Sequence, residues 1–511
     1  MTPSRRTAAT TPVLLARTLP RPMLPTLTLP TPMLATPMLP TLTLAALTLT
    51  TSPPSHAQTH PAAVTAGGAV GARAYVLPDP LYPTLGQPGL DVQHYDVRLT
   101  VPAPGTPDLR SDTTLSVRAD RDLNDVRLDY SGPRVLNVTW NGQPVPYRHT
   151  TGQDITPDKL IVQRALPAGR DARIRVTAAG PAGGVPDPTL NITLGWQSVP
   201  ATPTQPGANF TFSEPDGTHS LIPCNDHPSD PATFTTTLTF PRGVTAVASG
   251  SRLTDRAHLN GTHSVTFTLT TPVPTYALGI GVGTLDTAAR PAVETAGQRV
   301  TLTDYFPTSV PDTIRAPYAR TGDILTTLSG WFGPYPFGTY GSVVVTPDLP
   351  ALETATLSTM PVRSSRERVI VHEIAHQWFG NAVPLASWTD TWLNEGFATY
   401  AELLWTQAQG QDTAPLLRGW RDRLRPGTRP LTATTRTQMF DATAYARGAL
   451  ALHALRTQVG DDAFRTFLHT YTRTRAGQPT RPQDLLHLTR TVLGPQAADL
   501  LNTWITQPDL P

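Results

Sequence analysis

Residues 372–400 read HEIAHQWFGNAVPLASWTDTWLNEGFATY. His372 and His376 stand four apart with Glu373 between them, and eighteen residues separate His376 from Glu395. On a helix, positions i and i+4 share a face, so both imidazoles can reach one ion. Glu373 is turned by about 100° on the same helix, where it can face a water on that ion without ligating it. Two histidines and a carboxylate base in this spacing are the equipment of zinc-dependent hydrolysis. Such a site needs a third protein ligand and an open position for water. Glu395 fits the third place. It lies early in a second helical pattern (Trp392, Leu393, Phe397, Tyr400, Leu403, Leu404), from which a carboxylate can point back at the first helix. From the pentapeptide alone, a surface helix with two solvated histidines is the competing reading.

The longer match decides between the two. His372, Glu373, His376, Gln377, Trp378, Phe379, Gly380 and Asn381, followed by Trp392-Leu393-Asn394-Glu395-Gly396-Phe397-Ala398, closely resemble the zinc aminopeptidases of the aminopeptidase N family, which are gluzincin metallopeptidases. Related leukotriene hydrolases share the pattern. The resemblance covers roughly residues 88–505 and extends to other segments. Pro223-Cys224-Asn225-Asp226-His227-Pro228 with Ala232-Thr233-Phe234 is similar to a stretch of the family's amino-terminal β domain. Cys224 is then expected to be a buried small residue and His227 structural. Trp331-Phe332-Gly333-Pro334-Tyr335-Pro336-Phe337 resembles another family segment.

Three segments bear on substrate. Phe212-Ser213-Glu214-Pro215 stands where the family has Gln-x-Glu, which implies that Glu214 binds a free amino group; Phe212 takes the place of the Gln. Pro350-Ala351-Leu352-Glu353-Thr354 stands at the G-x-M-E-N motif, with only the glutamate kept. The resemblance implies that Glu353 binds the α-amino group and that the backbone at Ala351 lines the substrate carbonyl, although Pro350 brings no N–H. Tyr445-Ala446-Arg447-Gly448-Ala449 resembles Tyr-x-Lys-Gly-Ala, whose tyrosine stabilises the transition state, with Arg447 in place of Lys. Asp390 and Asn394 are candidates to support the ligands.

The elements that must position these residues follow from periodicity. Between residues 88 and 285 apolar residues alternate with polar ones: Tyr95, Val97, Leu99 and Val101; Leu115, Val117 and Ala119; Val126, Leu128 and Tyr130; Val265, Phe267 and Leu269. Turn-rich segments separate them, which predicts an antiparallel β domain of many strands. After residue 286 the chain shifts toward helix, with Val343–Val345 as a buried strand and a helix over 441–459 that carries Leu452, Leu455 and Val459 before Gly460.

Composition bounds the partners. A chain of 511 residues has room for two or three domains. A net charge of +2 with 15% charged residues makes no field for nucleic acid or an acidic membrane. One cysteine excludes an internal disulfide. Lys159 is the only lysine, which we read as genomic base-composition bias, and the N-x-T sequons at Asn137, Asn191, Asn209 and Asn260 are expected by chance in so threonine-rich a chain. In the first 70 residues PMLPTLTL occurs at 22–29 and again at 37–44, and prolines every few residues forbid a continuous transmembrane helix. Arg5 and Arg6, the apolar run 41–50 and Ser55-His56-Ala57 read as an export leader, with a cytoplasmic protein as the alternative.

The expected architecture is α+β: a leader over 1–57, a linker over 58–87, an antiparallel β domain over 88–285, and a thermolysin-like, mainly helical catalytic domain over 286–511. Full-length members carry a further helical domain over the active site, so the cleft here is expected to be more open or covered by another chain. The expected activity is a zinc aminopeptidase: His372, His376 and Glu395 as ligands of one Zn²⁺, Glu373 as base, Tyr445 on the oxyanion, and Glu353, Glu214 and Ala351 at the substrate. A zinc endopeptidase and a non-catalytic peptide-binding relative are the alternatives; the intact Glu373 speaks against the latter.

Overall fold

The structure is a computed structural model that describes residues 79–510 apart from 153–155, 188 and 425–426. The leader and residues 58–78 lie outside the described residues. All described residues belong to one compact unit, Val70–Pro511. Among them, no helix is long and apolar enough to cross a membrane.

The amino-terminal half is β-rich, as period two predicts. In the strand Leu90–Thr100, Tyr95, Val97 and Leu99 are buried while Asp96 and Arg98 face outward. Asp108–Ala119 repeats the pattern with Leu115, Val117 and Ala119. These two strands are central to an eight-stranded sheet whose edges are Ser251–Ala257 and Gln143–Pro144. One pair departs from the expected antiparallel pattern. Leu90–Thr100 runs parallel to Ala232–Pro241, with His94 opposite Thr233. Parallel neighbours need a long crossover, and residues 101–231 supply it. A five-stranded sheet stands beside this one, and its strand Ala208–Phe212 ends two residues before Glu214.

From Leu285 the chain builds a different sheet. The hairpin Leu285–Thr295 and Gln298–Pro307 continues through parallel strands Ser342–Val345 and Ser358–Pro361. Val343, Val344 and Val345 are buried, as a continuous apolar strand within a covered sheet should be. Helices dominate from Glu367 onward: Glu367–Ala375, Trp392–Ala408, Gly448–Val459, Asp461–Arg475, Pro482–Leu493 and Pro495–Thr506 among them.

The segment 79–87, which composition reads as the end of a linker, is packed into the unit. Leu81, Tyr82 and Leu85 are buried. Asp79 is wholly buried and accepts from Leu81 N, Ser387 Oγ and Trp388 N, each at 2.8 Å, and contacts His227 Nε2 at 3.3 Å. His227 is thus a structural residue, with Ser229 Oγ on its Nδ1 at 2.7 Å. Cys224 is buried and free, and its backbone bridges Asp129.

Candidate metal centre and active site

The histidine helix Glu367–Ala375 continues into a single further turn that holds His376. The motif residues after it have packing reasons. Trp378 donates to Pro334 O at 3.0 Å and lies 5.3 Å from the Tyr335 ring, so the segment 331–337 forms the platform beneath the turn. Phe379 stacks on Phe397 of the glutamate helix Trp392–Ala408 at 4.3 Å. Gln377 Oε1 accepts from Thr356 N at 2.7 Å, and Asn381 Nδ2 donates to Glu353 O at 2.8 Å. Those two amides tie the loop carrying Glu353 to the histidine turn.

The imidazoles are oriented by their outer nitrogens. His372 Nδ1 meets Glu402 Oε1 at 3.1 Å, and His376 Nδ1 meets Phe379 O at 3.0 Å. A nitrogen that donates outward leaves the other nitrogen's lone pair for a metal. Both Nε2 atoms then face Glu395 Oε2, at 3.1 Å from His372 and 3.5 Å from His376. The ligand atoms of His372, His376 and Glu395 all lie within 4.8 Å of one another, a spacing that one ion can bridge. The donor set, two imidazoles and one carboxylate, is that of catalytic zinc. The residues fit the metal.

Glu402 was not singled out by sequence reasoning. It lies seven residues after Glu395, two turns along the same helix face, and that i+7 spacing was the available signal. Asp390 takes a different place: it accepts from Thr432 Oγ1 at 3.2 Å. Asn394 Nδ2 reaches Tyr276 Oη at 3.4 Å, and that phenol donates to Glu353 Oε1 at 3.3 Å.

Two glycines bring the third wall to the metal site. A Cβ on Gly396 would lie 2.9 Å from Gly448 Cα, and one on Gly448 would lie 2.8 Å from Gly396 Cα. Only glycines allow the glutamate helix and Gly448–Val459 to touch backbone to backbone. The helix expected over 441–459 begins as a widened π turn over Thr443–Arg447, a feature frequent at functional sites. From this turn the Tyr445 ring stacks beside His372, 6.0 Å between centroids. Arg447, in the place of the family's lysine, is fully buried and donates to the carbonyls of Trp504 (2.9 Å), Pro508 (2.7 Å), Gln507 and Asp509. It caps the last helix, where exposed carbonyls attract a cation.

Glu214, Ala351, Glu353, Glu373 and Tyr445 join His372, His376 and Glu395 in one pocket of about 570 Å³. Burial, with Glu353 and Glu395 nearby, raises the Glu214 carboxyl well above the usual range. Burial pushes Glu373 up to about 7, against the pull of the two imidazoles. Burial also raises Glu353, with His376 opposing and Glu395 adding to the shift. Crowded carboxylates resist simultaneous ionisation, and a positive ligand or ion relieves the repulsion.

A β-rich half, a helical half and a candidate His₂Glu centre with an adjacent carboxylate are the parts of a zinc metallopeptidase fold. Residues 339–504 match the Peptidase family M1 domain and residues 203–277 the Peptidase M1 N-terminal domain. An M1 zinc metallopeptidase from Deinococcus radiodurans superposes with a TM-score of 0.79 at 47% identity, covering 85% of this chain and 98% of that one. A variant of that protein has been solved bound to the tripeptide Tyr-Ser-Ala. Human aminopeptidase N is 30% identical over 346 residues, 57% of this chain and 34% of its own length. Aminopeptidase M1 of Arabidopsis thaliana is 27% identical over 331 residues, 59% of this chain and 37% of its own. The chain belongs to peptidase family M1. It spans well under half the length of these two curated relatives, and nearly all of the Deinococcus chain. Zinc is the cofactor of such a centre.

Proposed function

We propose that the protein is a zinc-dependent aminopeptidase that hydrolyses the amino-terminal bond of peptides. The observation that carries this reading is the convergence of Glu214 and Glu353 with Glu373 on the pocket beside the metal-ligating residues. A peptide's α-amino group has a pKa near 8 and is mostly charged at neutral pH. Glu353 and Glu214 bind that ammonium and set the first peptide bond at the site.

When bound, zinc activates water and polarises the scissile carbonyl. His372, His376 and Glu395 hold it, and Glu402 and the Phe379 carbonyl keep the two rings in place. Glu373 takes the proton of the attacking water and passes it to the leaving amine. The Tyr445 hydroxyl donates to the oxygen on which negative charge develops. The backbone at Ala351 lines the substrate carbonyl. The tripeptide-bound Deinococcus relative supports peptides as the substrate class.

The test is one short peptide assayed free and acetylated, with products identified by mass. The free peptide should lose its first residue at least about 100-fold faster, because an unneutralised buried carboxylate cluster costs several kcal/mol. Internal cleavage of the acetylated peptide at a comparable rate would replace exopeptidase with endopeptidase.

Arg5 and Arg6, the apolar run 41–50 and the small-residue pattern Ser55-His56-Ala57 support export as the route to the site of action. Amino-terminal sequencing of the protein from its host should find a mature chain beginning near Gln58; a cytosolic chain retaining its first residues would refute export.

A further inference from the structure

The pocket is lined by both carboxylates and guanidinium groups. Glu353 Oε1 lies 3.9 Å from His376 Nδ1, so the amine-binding carboxylates stand at the His376 side. Three arginines, Arg363, Arg368 and Arg423, also line the pocket, and Arg363 is taken up by Asp348 at 2.8 Å and by the Leu349 carbonyl. Arg368 lies one turn before His372 on the histidine helix, its Nε 3.1 Å from Glu402 Oε2, and Glu402 in turn holds His372. Arg423, near the end of the helix Ala414–Leu424, lines the same pocket. Its Nε reaches only Gly419 O of its own helix, at 3.4 Å, and among the described residues no carboxylate pairs with it. Arg368 keeps 57% of its side chain exposed in spite of Glu402.

We propose that Arg368 and Arg423 form a subsite for the carboxylate at the far end of a short peptide, so that the preferred substrates are free tri- and tetrapeptides. This inference rests on the aminopeptidase reading, which places the ammonium at Glu353. The length follows from the helix. Arg368 precedes His376 by eight residues, about 12 Å at 1.5 Å per residue. An extended peptide advances about 3.3–3.6 Å per residue, so three or four residues carry a terminal carboxylate from the Glu353 end to the arginines. A dipeptide falls short, and the end of a longer peptide lies outside the pocket. The guanidinium group is well suited to hold a carboxylate, because its planar fork matches the two oxygens with two parallel hydrogen bonds. Arg368 Nε stands 3.1 Å from Glu402 Oε2 as an ion pair, and more than half of the Arg368 side chain is exposed. The carboxylates and the guanidinium groups together complement a zwitterion, which an internal segment of a protein is not.

The experiment compares Leu-Ala-Ala with Leu-Ala-Ala-amide, and an octapeptide beginning Leu-Ala-Ala with its amide, by kcat/KM. The tripeptide acid should be favoured over its amide about tenfold, the usual weight of a charge-assisted hydrogen bond, mostly through KM. The octapeptide pair should be cleaved equally. Arg423→Gln and Arg368→Gln should each reduce the tripeptide preference, and together abolish it. Among the described residues Arg423 makes no hydrogen bond or ion pair with His372, His376 or Glu395, so its variant remains informative if Arg368→Gln disturbs His372. Equal cleavage of acid and amide tripeptides by the wild type would overturn the subsite while leaving the aminopeptidase intact. A preference that survives both substitutions would overturn the assignment to these arginines. Cleavage of neither free peptide would instead sink the aminopeptidase reading.

Discussion

Glu373 and Glu402 are both buried carboxylates beside His372, and their partners separate their roles. Glu402 is spent on His372 Nδ1 and Arg368, whereas no hydrogen bond to the Glu373 carboxylate is seen among the described residues. Glu373→Gln should therefore retain one zinc per chain and lose at least about 100-fold in kcat. Glu402→Gln should instead weaken zinc retention, by roughly 10- to 100-fold for a partner of a metal-bound histidine. Elemental analysis alongside kinetics distinguishes the two. Near-wild-type turnover by Glu373→Gln would remove it as the base. The resemblance to known motifs made Glu373 legible. Glu402 was not, because its role depends on which atom of His372 it meets.

At the scale of elements, the crossing of the glutamate helix with Gly448–Val459 sets where Tyr445 stands. Gly448→Ala forces a Cβ to within 2.8 Å of Gly396 Cα. Backbone has no rotamer to yield with, so the helices must part. We expect a stability loss of about 1–3 kcal/mol and a fall in kcat as Tyr445 shifts away from His372. Thermal melting together with kcat measures both. An unchanged melting temperature would show that the crossing tolerates separation. The two glycines were visible in the motifs N-E-G and Y-x-R-G, yet nothing local in either said that they touch each other.

Across the whole molecule, Asp79 joins the β-rich half to the catalytic half. It binds His227 from one and Ser387 and Trp388 from the other. Burial alone would raise its carboxyl, but His227, Ser387 and the Trp388 amide outweigh burial and hold it below 3.8. A depressed carboxylate stabilises the fold at pH above its unfolded value and loses that contribution as pH falls through the folded one. Asp79→Asn should thus be destabilised at neutral pH by about 1–3 kcal/mol, and its deficit relative to wild type should shrink below pH 3.8. Denaturant unfolding at the two pH values is the check; a deficit constant with pH would mean that Asp79 contributes shape and not charge.

The sequence alone determined many of the elements and nominated the residues for the metal and its base. Period-two burial in strands such as Leu90–Thr100, the i, i+4 histidines and the glutamate on the next helix are local patterns, set by how side chains project from strand and helix. Composition misled at 79–87, because a polar, proline-rich stretch still buries Leu81, Tyr82 and Leu85 when a neighbouring surface accepts them. Only the tertiary structure decided the rest. The parallel pairing of Leu90–Thr100 with Ala232–Pro241, the Gly396–Gly448 contact and the gathering of Glu214, Glu353 and Arg423 around one pocket join residues far apart in the chain. No local periodicity carries such distances; they are set when helices and sheets bury their apolar faces against one another.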